Sequence, residues 1–244
     1  MSTYVISDIH GQYDLFMELL DKIDLKADDT LYILGDVVDR GPHSIKTLLK
    51  LMEMPNVIPI IGNHELMAIT CLKFLNTEIT EESIKNISEN LIVELVNWQF
   101  NGGMTTIEEF RELDADTKQD VIDYLGEFIA YEELTVGEND CLLIHGGLGE
   151  FSPEKTIEDY TIDDIVWSRA NFNVRYFPDK YVVTGHTPTQ AISDNPRPGY
   201  IYRNDNGHIA IDCGVHMKGG RLAAICLDTG EEFYSSENTG SEEQ

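Results

Sequence analysis

The 244-residue chain carries 17 Lys and Arg residues against 44 Asp and Glu residues, a formal net charge of −27. This charge excludes a protein that binds nucleic acid non-specifically or that anchors to a membrane through a polybasic segment, because both need a basic surface. The hydrophobic fraction of 42% is enough for a packed core, which excludes a disordered acidic chain.

In the first third of the chain, three short apolar runs alternate with three segments whose apolar residues recur at helical spacing. The predicted elements are strand Tyr4–Ile6, helix Tyr13–Ile23, strand Thr30–Leu34, helix Ser44–Met54, strand Val57–Ile61 and helix Glu65–Leu75. Pro55 ends the second helix. This alternation is typical of an α/β domain.

The middle of the chain, from about residue 76 to residue 130, is predicted to be helical. Residues 76–135 contain 15 acidic and 3 basic side chains, a local net charge of −12. A run of this kind usually forms a solvated helical face, and a helical insertion beside the active site is the alternative.

After Tyr131 the β pattern returns, and the intervening Gly-rich turns suggest antiparallel pairing. The predicted strands are 131–136, 141–144, 181–184, 200–202, 209–212 and 222–227. We expect one domain over residues 1–234, with the helical insertion at about 76–130, and a flexible acidic tail over residues 235–244.

The chain shows no apolar run of the roughly 18 residues that a membrane span needs. Its first residues lack a basic region followed by an apolar run, which is the pattern of a secretory signal. Four cysteines occur without a CxxC pair. These features predict a cytoplasmic protein whose cysteines are buried free thiols.

Five polar clusters follow predicted strands. They are Ser7-Asp8-Ile9-His10-Gly11, Gly35-Asp36-Val37-Val38-Asp39-Arg40-Gly41, Gly62-Asn63-His64-Glu65, His145-Gly146-Gly147 and Gly185-His186-Thr187. Ligand groups in α/β sheets collect at the carboxyl ends of strands. The five clusters are therefore expected to converge on one site.

The side chains of these clusters are carboxylates, imidazoles and an amide, without a thiolate. The candidate donors are Asp8, His10, Asp36, Asn63, His145 and His186. This mixture suits Mn²⁺, Fe or Zn²⁺ better than Mg²⁺ or Ca²⁺. Six donors are too many for one tetrahedral zinc, and they favour two ions that share a bridging carboxylate.

The clusters resemble the motifs of the metallophosphoesterase superfamily, and more closely those of its PPP-type serine/threonine phosphatases: GDxHG, GDxVDRG, GNHE, HGG and GH. Four match without change, and Ser7 stands where the first motif has Gly. The segments 98–103, WQFNGG, and 167–169, WSR, are similar to segments of the short bacterial and lambda phage branch. The resemblance covers about residues 4–227.

The resemblance implies an α/β metallophosphoesterase fold, with two mixed β-sheets packed as a sandwich and flanked by helices (α-β-β-α). It also implies a dimetal phosphomonoesterase in which a metal-bridging hydroxide attacks phosphorus. The substrate would be phosphoserine or phosphothreonine in a protein or peptide, with phosphotyrosine as an open alternative. The cofactors would be two divalent ions, with Mn²⁺ preferred over Fe or Zn²⁺.

By the same resemblance, Asp8, His10 and Asp36 hold one metal, and the second is held by Asp36, Asn63, His145 and His186. His64 is the general acid toward the leaving oxygen, and Asp39 fixes its tautomer. Arg40 and Arg169 bind phosphate oxygens, because a planar guanidinium grips them in bidentate fashion. Asn101 contacts the substrate. We expect a monomer without nucleic-acid or membrane partners.

Two alternatives stay open. Close relatives hydrolyse symmetrical dinucleoside tetraphosphates, but they tend to carry a small residue where Asp39 stands and Asp where Glu65 stands. The sequence has the protein-phosphatase form at both positions, which favours a phosphoprotein substrate. The other alternative, a non-catalytic phosphate-binding protein, would need a lost ligand or acid, and none is lost.

Overall fold

A computed structural model of the chain describes residues 1–78, 80 and 88–240. The described strands are β1 (Thr3–Ile6), β2 (Thr30–Leu34), β3 (Val57–Ile60), β4 (Glu132–Val136), β5 (Asn139–Ile144), β6 (Lys180–Thr184), β7 (Tyr202–Arg203), β8 (His208–Ala210), β9 (Ala223–Cys226) and β10 (Glu232–Tyr234). The described α-helices are α1 (Tyr13–Ile23), α2 (Ser44–Met52), α3 (Asn63–Leu75), α4 (Glu89–Phe100), α5 (Met104–Arg111), α6 (Ala115–Gly126) and α7 (Ile162–Val166).

The first sheet has the strand order β10-β9-β1-β2-β3. Strands β1, β2 and β3 are parallel neighbours, and β9 and β10 extend the sheet in antiparallel fashion. Helices α1 and α2 supply the crossovers that parallel strands need. The predicted β-α-β-α-β-α order is confirmed, and helix α3 begins two residues earlier than predicted, so that Asn63 and His64 lie in its first turn.

The second sheet has the order β4-β5-β6-β8-β7. The expectation of antiparallel pairing is wrong at its centre, because β5 pairs with β6 and β6 pairs with β8 in parallel register. The physical reason is the connection: 35 residues that include α7 separate β5 from β6, and a crossover of that length allows parallel strands. Only the outer pairs, β4–β5 and β7–β8, are antiparallel.

The two mixed sheets pack face to face, as the sequence predicted. In β1, Val5 faces a core shared by both sheets, while its neighbour Ile6 belongs to the core under the helices. The shared core includes Leu34 of the first sheet and Leu143 and Val183 of the second. Alternate residues of a strand point to opposite faces, so β1 contributes to one core on each side.

Helices α4, α5 and α6 occupy the described part of the segment that was predicted to be helical. Residues 79 and 81–87 of the predicted insertion, and residues 241–244 of the predicted tail, lie outside the described residues. The division into a domain over 1–234 and a flexible tail stays a prediction.

All four cysteines are buried and free, as predicted. Within the described ranges, no helix combines the length and apolar character that crossing a membrane requires.

Candidate active site

The five polar clusters meet at one edge of the molecule, because they follow the parallel strands β1, β2 and β3 of one sheet and β5 and β6 of the other. The carboxyl ends of parallel strands share an edge. Backbone hydrogen bonds join neighbouring clusters: the amide of Asp8 donates to Gly35 O at 3.0 Å, and that of Gly185 donates to His145 O at 2.8 Å.

Asp36 lies at the centre of the site. Its Oδ1 is 3.3 Å from Nε2 of His145, and its Oδ2 is 3.6 Å from Nε2 of His10 and 3.8 Å from Nε2 of His64. Two groups of potential ligand atoms result, each with its atoms within 4.8 Å of one another. They are His10 with Asp36 and His64, and Asp36 with His145 and His186. The carboxylate of Asp36 is the member that both groups share.

Backbone carbonyls fix the tautomers of two of these histidines. Nδ1 of His10 lies 3.0 Å from Val38 O, and Nδ1 of His145 lies 2.6 Å from Leu34 O. A carbonyl oxygen only accepts, so each Nδ1 carries the proton and each Nε2 keeps its lone pair. Burial lowers the pKa of both imidazoles, and that of His10 falls well below its ordinary value. In each ring Nε2 is therefore the nitrogen with a lone pair, and it lies beside Asp36.

The donor set fits a cation. Nε2 of His145 faces Oδ1 of Asn63 at 3.1 Å and Oδ1 of Asp36 at 3.3 Å. These three atoms turn electron pairs toward one another, and a positive ion relieves that repulsion. Burial and the nearby carboxylates of Asp212 and Asp36 raise the pKa of Asp8 well above its usual range. Buried carboxylates this close together are stabilised by metal binding.

Asp8 and His186 connect the two sheets. The backbone N–H of His186 donates to both carboxylate oxygens of Asp8, at 3.0 and 3.2 Å. Gly185 allows this contact, because a Cβ there would lie 2.2 Å from Oδ2 of Asp8. Burial lowers the pKa of His186 to about 3, with a contribution from His145. The Asp8 carboxylate is oriented toward this backbone, while the other predicted donors surround Asp36.

His64 is held by Asp39. Its Nδ1 lies 2.6 Å from Oδ2 of Asp39, and both side chains are fully buried. Asp39 in turn accepts hydrogen bonds from Nε1 of Trp98 at 2.7 Å and from Oγ1 of Thr106 at 2.6 Å. Burial alone would lower the pKa of His64, but Asp36 and Asp39 outweigh it and raise that pKa. The predicted pairing of His64 with Asp39 is present in the geometry.

Arg40 occupies the space between three histidines. Its guanidinium nitrogens lie 2.7 Å from Nε2 of His10, 3.0 Å from Nε2 of His64 and 3.4 Å from Nδ1 of His216. An arginine only donates, so His10 and His64 accept at Nε2. A protonated Nε2 on His64 and this contact with Arg40 therefore exclude each other.

The backbone of segment 98–103 forms a hydrogen bond with that of Arg40. The amide of Arg40 donates to Gly102 O at 3.0 Å. Gly102 has φ +98°, and a Cβ there would lie 2.8 Å from Cγ of Arg40, so only glycine fits. The side chain of Asn101 donates to Asn97 O at 2.8 Å within its own helix. Arg169 is exposed at the rim, with Nη1 3.4 Å from His186 O. The substrate contacts of Asn101 and Arg169 stay predictions.

Two residues of the site were missed in the sequence. Asp212 is buried against Asp8, and burial raises its pKa to about 7. His216 packs edge-on against His10, with ring centroids 5.2 Å apart. Asp212 closes a predicted strand in the same way as the five clusters do, so the strand-end signal was present. His216 lies beyond the turn at Gly214, and no sequence pattern marks it.

The backbone of the site is strained. Among the described residues, eight non-glycine residues have positive φ, and six of them are predicted site residues. These six are Asp8, His10, Asp36, Asp39, Arg40 and His186. Ser7 is not among the eight, so its replacement of the family's glycine causes no strain. Backbone strain of this kind clusters at functional sites.

Glu65 organises the loop after β2. Its carboxylate accepts hydrogen bonds from the backbone amides of Asp36 and Val37, both at 2.8 Å, and from that of Gly62 at 2.9 Å. The side chain is fully buried. Glu65 is therefore an internal brace between the second and third clusters.

Comparisons with known proteins find relatives named as dinucleoside tetraphosphatases and solved structures that include a protein phosphatase. A symmetrical bis(5'-nucleosyl)-tetraphosphatase from Erwinia tasmaniensis is 31% identical over 116 residues, which are 46% of this chain and 42% of that protein. The match thus spans less than half of the relative's length. A solved structure described provisionally as a diadenosine tetraphosphatase superposes with a TM-score of 0.66 at 19% identity, over 98% of this chain and 94% of that chain. A protein serine/threonine phosphatase from Saccharomyces cerevisiae gives 0.51 at 16% identity, over 97% of this chain and 81% of that chain.

The preference for a phosphoprotein substrate is wrong. The finding that overturns it is the name of the curated relatives, symmetrical bis(5'-nucleosyl)-tetraphosphatase. The structure gives the physical reason for the error. The preference depended on Asp39 and Glu65, and both are fully buried and bonded to other parts of the protein. Neither side chain faces a substrate, so neither reports the substrate class.

The pattern of the calcineurin-like phosphoesterases matches residues 1–214 of the chain, which is most of its length. The matched residues include eight of the ten described strands and both histidine–aspartate groups. The chain therefore belongs to the calcineurin-like phosphoesterase family and is a metal-dependent phosphoester hydrolase.

Proposed function

We propose that the chain hydrolyses symmetrical dinucleoside tetraphosphates, such as diadenosine tetraphosphate, into two nucleoside diphosphates. The observation that carries the proposal is the similarity to curated relatives named for this activity, at 30–34% identity. The net charge of −27 supports a small dinucleotide rather than a polynucleotide, because a polyanion of many phosphates is repelled over a longer surface.

We infer that Asp8, His10 and Asp36 hold one divalent ion. Asp36, Asn63, His145 and His186 hold the other. Bound there, two divalent ions supply positive charge for the phosphate chain and lower the pKa of water toward neutrality. Imidazole, carboxylate and amide donors together favour Mn²⁺, Fe or Zn²⁺.

The remaining side chains position the phosphate chain and move a proton. Arg40 contacts His10 and His64, Arg169 contacts the backbone oxygen of His186, and both donate to phosphate oxygens. Arg40 must first leave Nε2 of His10 and His64, which it contacts at 2.7 and 3.0 Å. That departure frees Nε2 of His64 to carry a proton. His64 then donates this proton to the leaving phosphate oxygen while Asp39 stabilises the imidazolium.

The test uses the purified chain with Mn²⁺ and diadenosine tetraphosphate, with products separated by ion-exchange chromatography. We expect ADP as the sole nucleotide product, because symmetrical cleavage divides four phosphates equally. Equal amounts of AMP and ATP would contradict the symmetrical cleavage. Faster turnover of phosphopeptides than of the dinucleotide would contradict the substrate class. Absence of hydrolysis with any divalent metal would favour a binding protein.

A further inference from the structure

A groove of about 500 Å³ lies between helix α3, helix α4 with the residue that follows it, and helix α7 with the residue that follows it. Pockets for small molecules are commonly of this size. The residues that matter for the argument are Leu66, Met67, Asn97, Asn101, Ile162 and Trp167. The side chain of Trp167 is 45% exposed, which is a large apolar surface to leave in water.

Each of the three elements that form the groove also carries a residue of the phosphate site. Helix α3 begins with Asn63 and His64 and supplies Leu66 one turn later. The end of helix α4 supplies Asn101, and the next residue accepts the hydrogen bond of Arg40. Trp167 stands two residues before Arg169. The groove therefore shares Asn101 with the predicted phosphate site, and its other lining residues lie close in sequence to site residues.

Backbone hydrogen bonds join the residues around Trp167 to the residues that follow His145. The amide of Gly146 donates to Ile165 O at 2.8 Å, and the amide of Gly147 donates to Ser168 O at 2.5 Å. Both glycines follow His145 directly. These bonds flank Trp167 on either side, so the backbone that carries its indole is held against the segment that follows His145.

The chemistry of the groove selects an uncharged, planar group. Trp167, Met67 and Ile162 offer apolar surface, whereas Glu94 and Asp163 add negative charge to the lining. Carboxylates repel a phosphate but accept hydrogen bonds from an amino group. A purine base combines a flat aromatic face with such donors, and bases stack on exposed aromatic side chains.

We propose that this groove binds the base of one nucleoside of the dinucleotide, with Trp167 stacking on it. The inference deepens the proposed function and depends on it. The two arginines and the histidine groups take the phosphate chain, and the groove takes the nucleoside at one end. Trp167 is then a specificity-determining residue for a nucleotide over a simple phosphoester.

Tryptophan fluorescence gives the first test, because the chain has only two tryptophans. Trp98 is fully buried with its Nε1 on Asp39, so a ligand reaches only Trp167. Diadenosine tetraphosphate, added to metal-free protein, is expected to quench the emission of the wild type and to leave that of Trp167→Phe unchanged. Inorganic phosphate is expected to quench neither. Equal quenching of both proteins would overturn the inference.

Kinetics give the second test. Trp167→Ala is expected to raise KM for diadenosine tetraphosphate on the order of 10- to 100-fold. This is the usual effect of removing the aromatic side chain on which one base stacks. Its rate on p-nitrophenyl phosphate is expected to stay within about twofold. Tyr181→Ala is the matched control, because Tyr181 is similarly exposed at 42% but lies outside the groove. An equal loss on both substrates would assign Trp167 to the positioning of Arg169 instead.

The failures of the two proposals are distinguishable. If the wild type hydrolyses p-nitrophenyl phosphate but not the dinucleotide, the proposed function is wrong. If the wild type hydrolyses the dinucleotide and Trp167→Ala does so equally well, only the base site is wrong. Quenching by an apolar phosphopeptide, and not by the dinucleotide, would overturn the base site and assign the groove to a peptide.

Discussion

Replacing Asp36 by asparagine is expected to remove both divalent ions and to abolish turnover. The carboxylate lies within 3.3–3.8 Å of three imidazole Nε2 atoms and is the only member common to both ligand groups of the described residues. An asparagine keeps the shape but loses the charge and one acceptor oxygen. We expect a loss greater than the roughly 10⁴-fold upper range for removing a general acid.

Metal content is the decisive measurement for Asp36→Asn. The wild type, loaded with Mn²⁺ and passed through a desalting column, is expected to retain two ions per chain by plasma mass spectrometry. The variant is expected to retain fewer than one. Asp116→Asn, an exposed acid in the first turn of α6, is the control for loss of one negative charge. Retention of two ions by Asp36→Asn would show that the carboxylate is not shared.

Replacing His64 by asparagine is expected to lower turnover by about 10²–10⁴-fold, the usual contribution of a general acid, with both ions retained. On the dinucleotide the loss should fall near the lower end. A phosphate leaving group has a second pKa of about 6, and so it departs without much need of a proton.

The structure makes His64→Asn a sharp test, because His64 also belongs to one of the two potential ligand groups. Its Nδ1 contacts Asp39 at 2.6 Å, so Nε2 is the ring nitrogen that could bind a metal or carry a proton once Arg40 has left it. Loss of one ion in the variant would identify His64 as a ligand and leave the proton donor unassigned. Circular dichroism checks that the variant stays folded.

The site was predictable from sequence to the extent that it is built from strand ends. Asp8, Asp36 and Asn63 each follow a parallel strand directly, and parallel strands bring their carboxyl ends to one edge. Asp212 follows the same rule. His216 does not, since its place depends on a turn whose path only the packed structure determines. Local patterns locate a residue relative to its own strand, and they do not locate it relative to a distant loop.

Strand direction and substrate class were not predictable for a related reason. Short apolar runs between Gly-rich turns look alike whether the strands pair in parallel or not, and the connection between β5 and β6 decides the direction. In the sequence Asp39 and Glu65 favour one substrate class, but both side chains are fully buried. In the structure Glu65 binds backbone amides and Asp39 binds Trp98 and His64. A motif residue that acts on the substrate only through another part of the protein carries little information about the substrate class.

The non-glycine residues with positive φ form two groups, those that carry predicted site chemistry and those that do not. Six of the eight non-glycine residues in this conformation, among those described, carry predicted site chemistry, and the other two are Asp24 and Glu150. A left-handed conformation costs an L-residue roughly 1–2 kcal/mol, less for Asp. Glycine would relieve that cost within the site only by deleting a functional side chain.

Asp24 and Glu150 offer a way to raise the heat resistance of the enzyme without touching its chemistry. Asp24 ends helix α1 at φ 48° and ψ 49°, where glycine is the favoured residue. Asp24→Gly and Glu150→Gly are each expected to raise Tm by a few degrees in a calorimetric scan while turnover stays unchanged. A fall in Tm would mean that the exposed side chains contribute more than their backbone strain costs. We thus expect that thermal tolerance and catalysis can be altered separately in this fold.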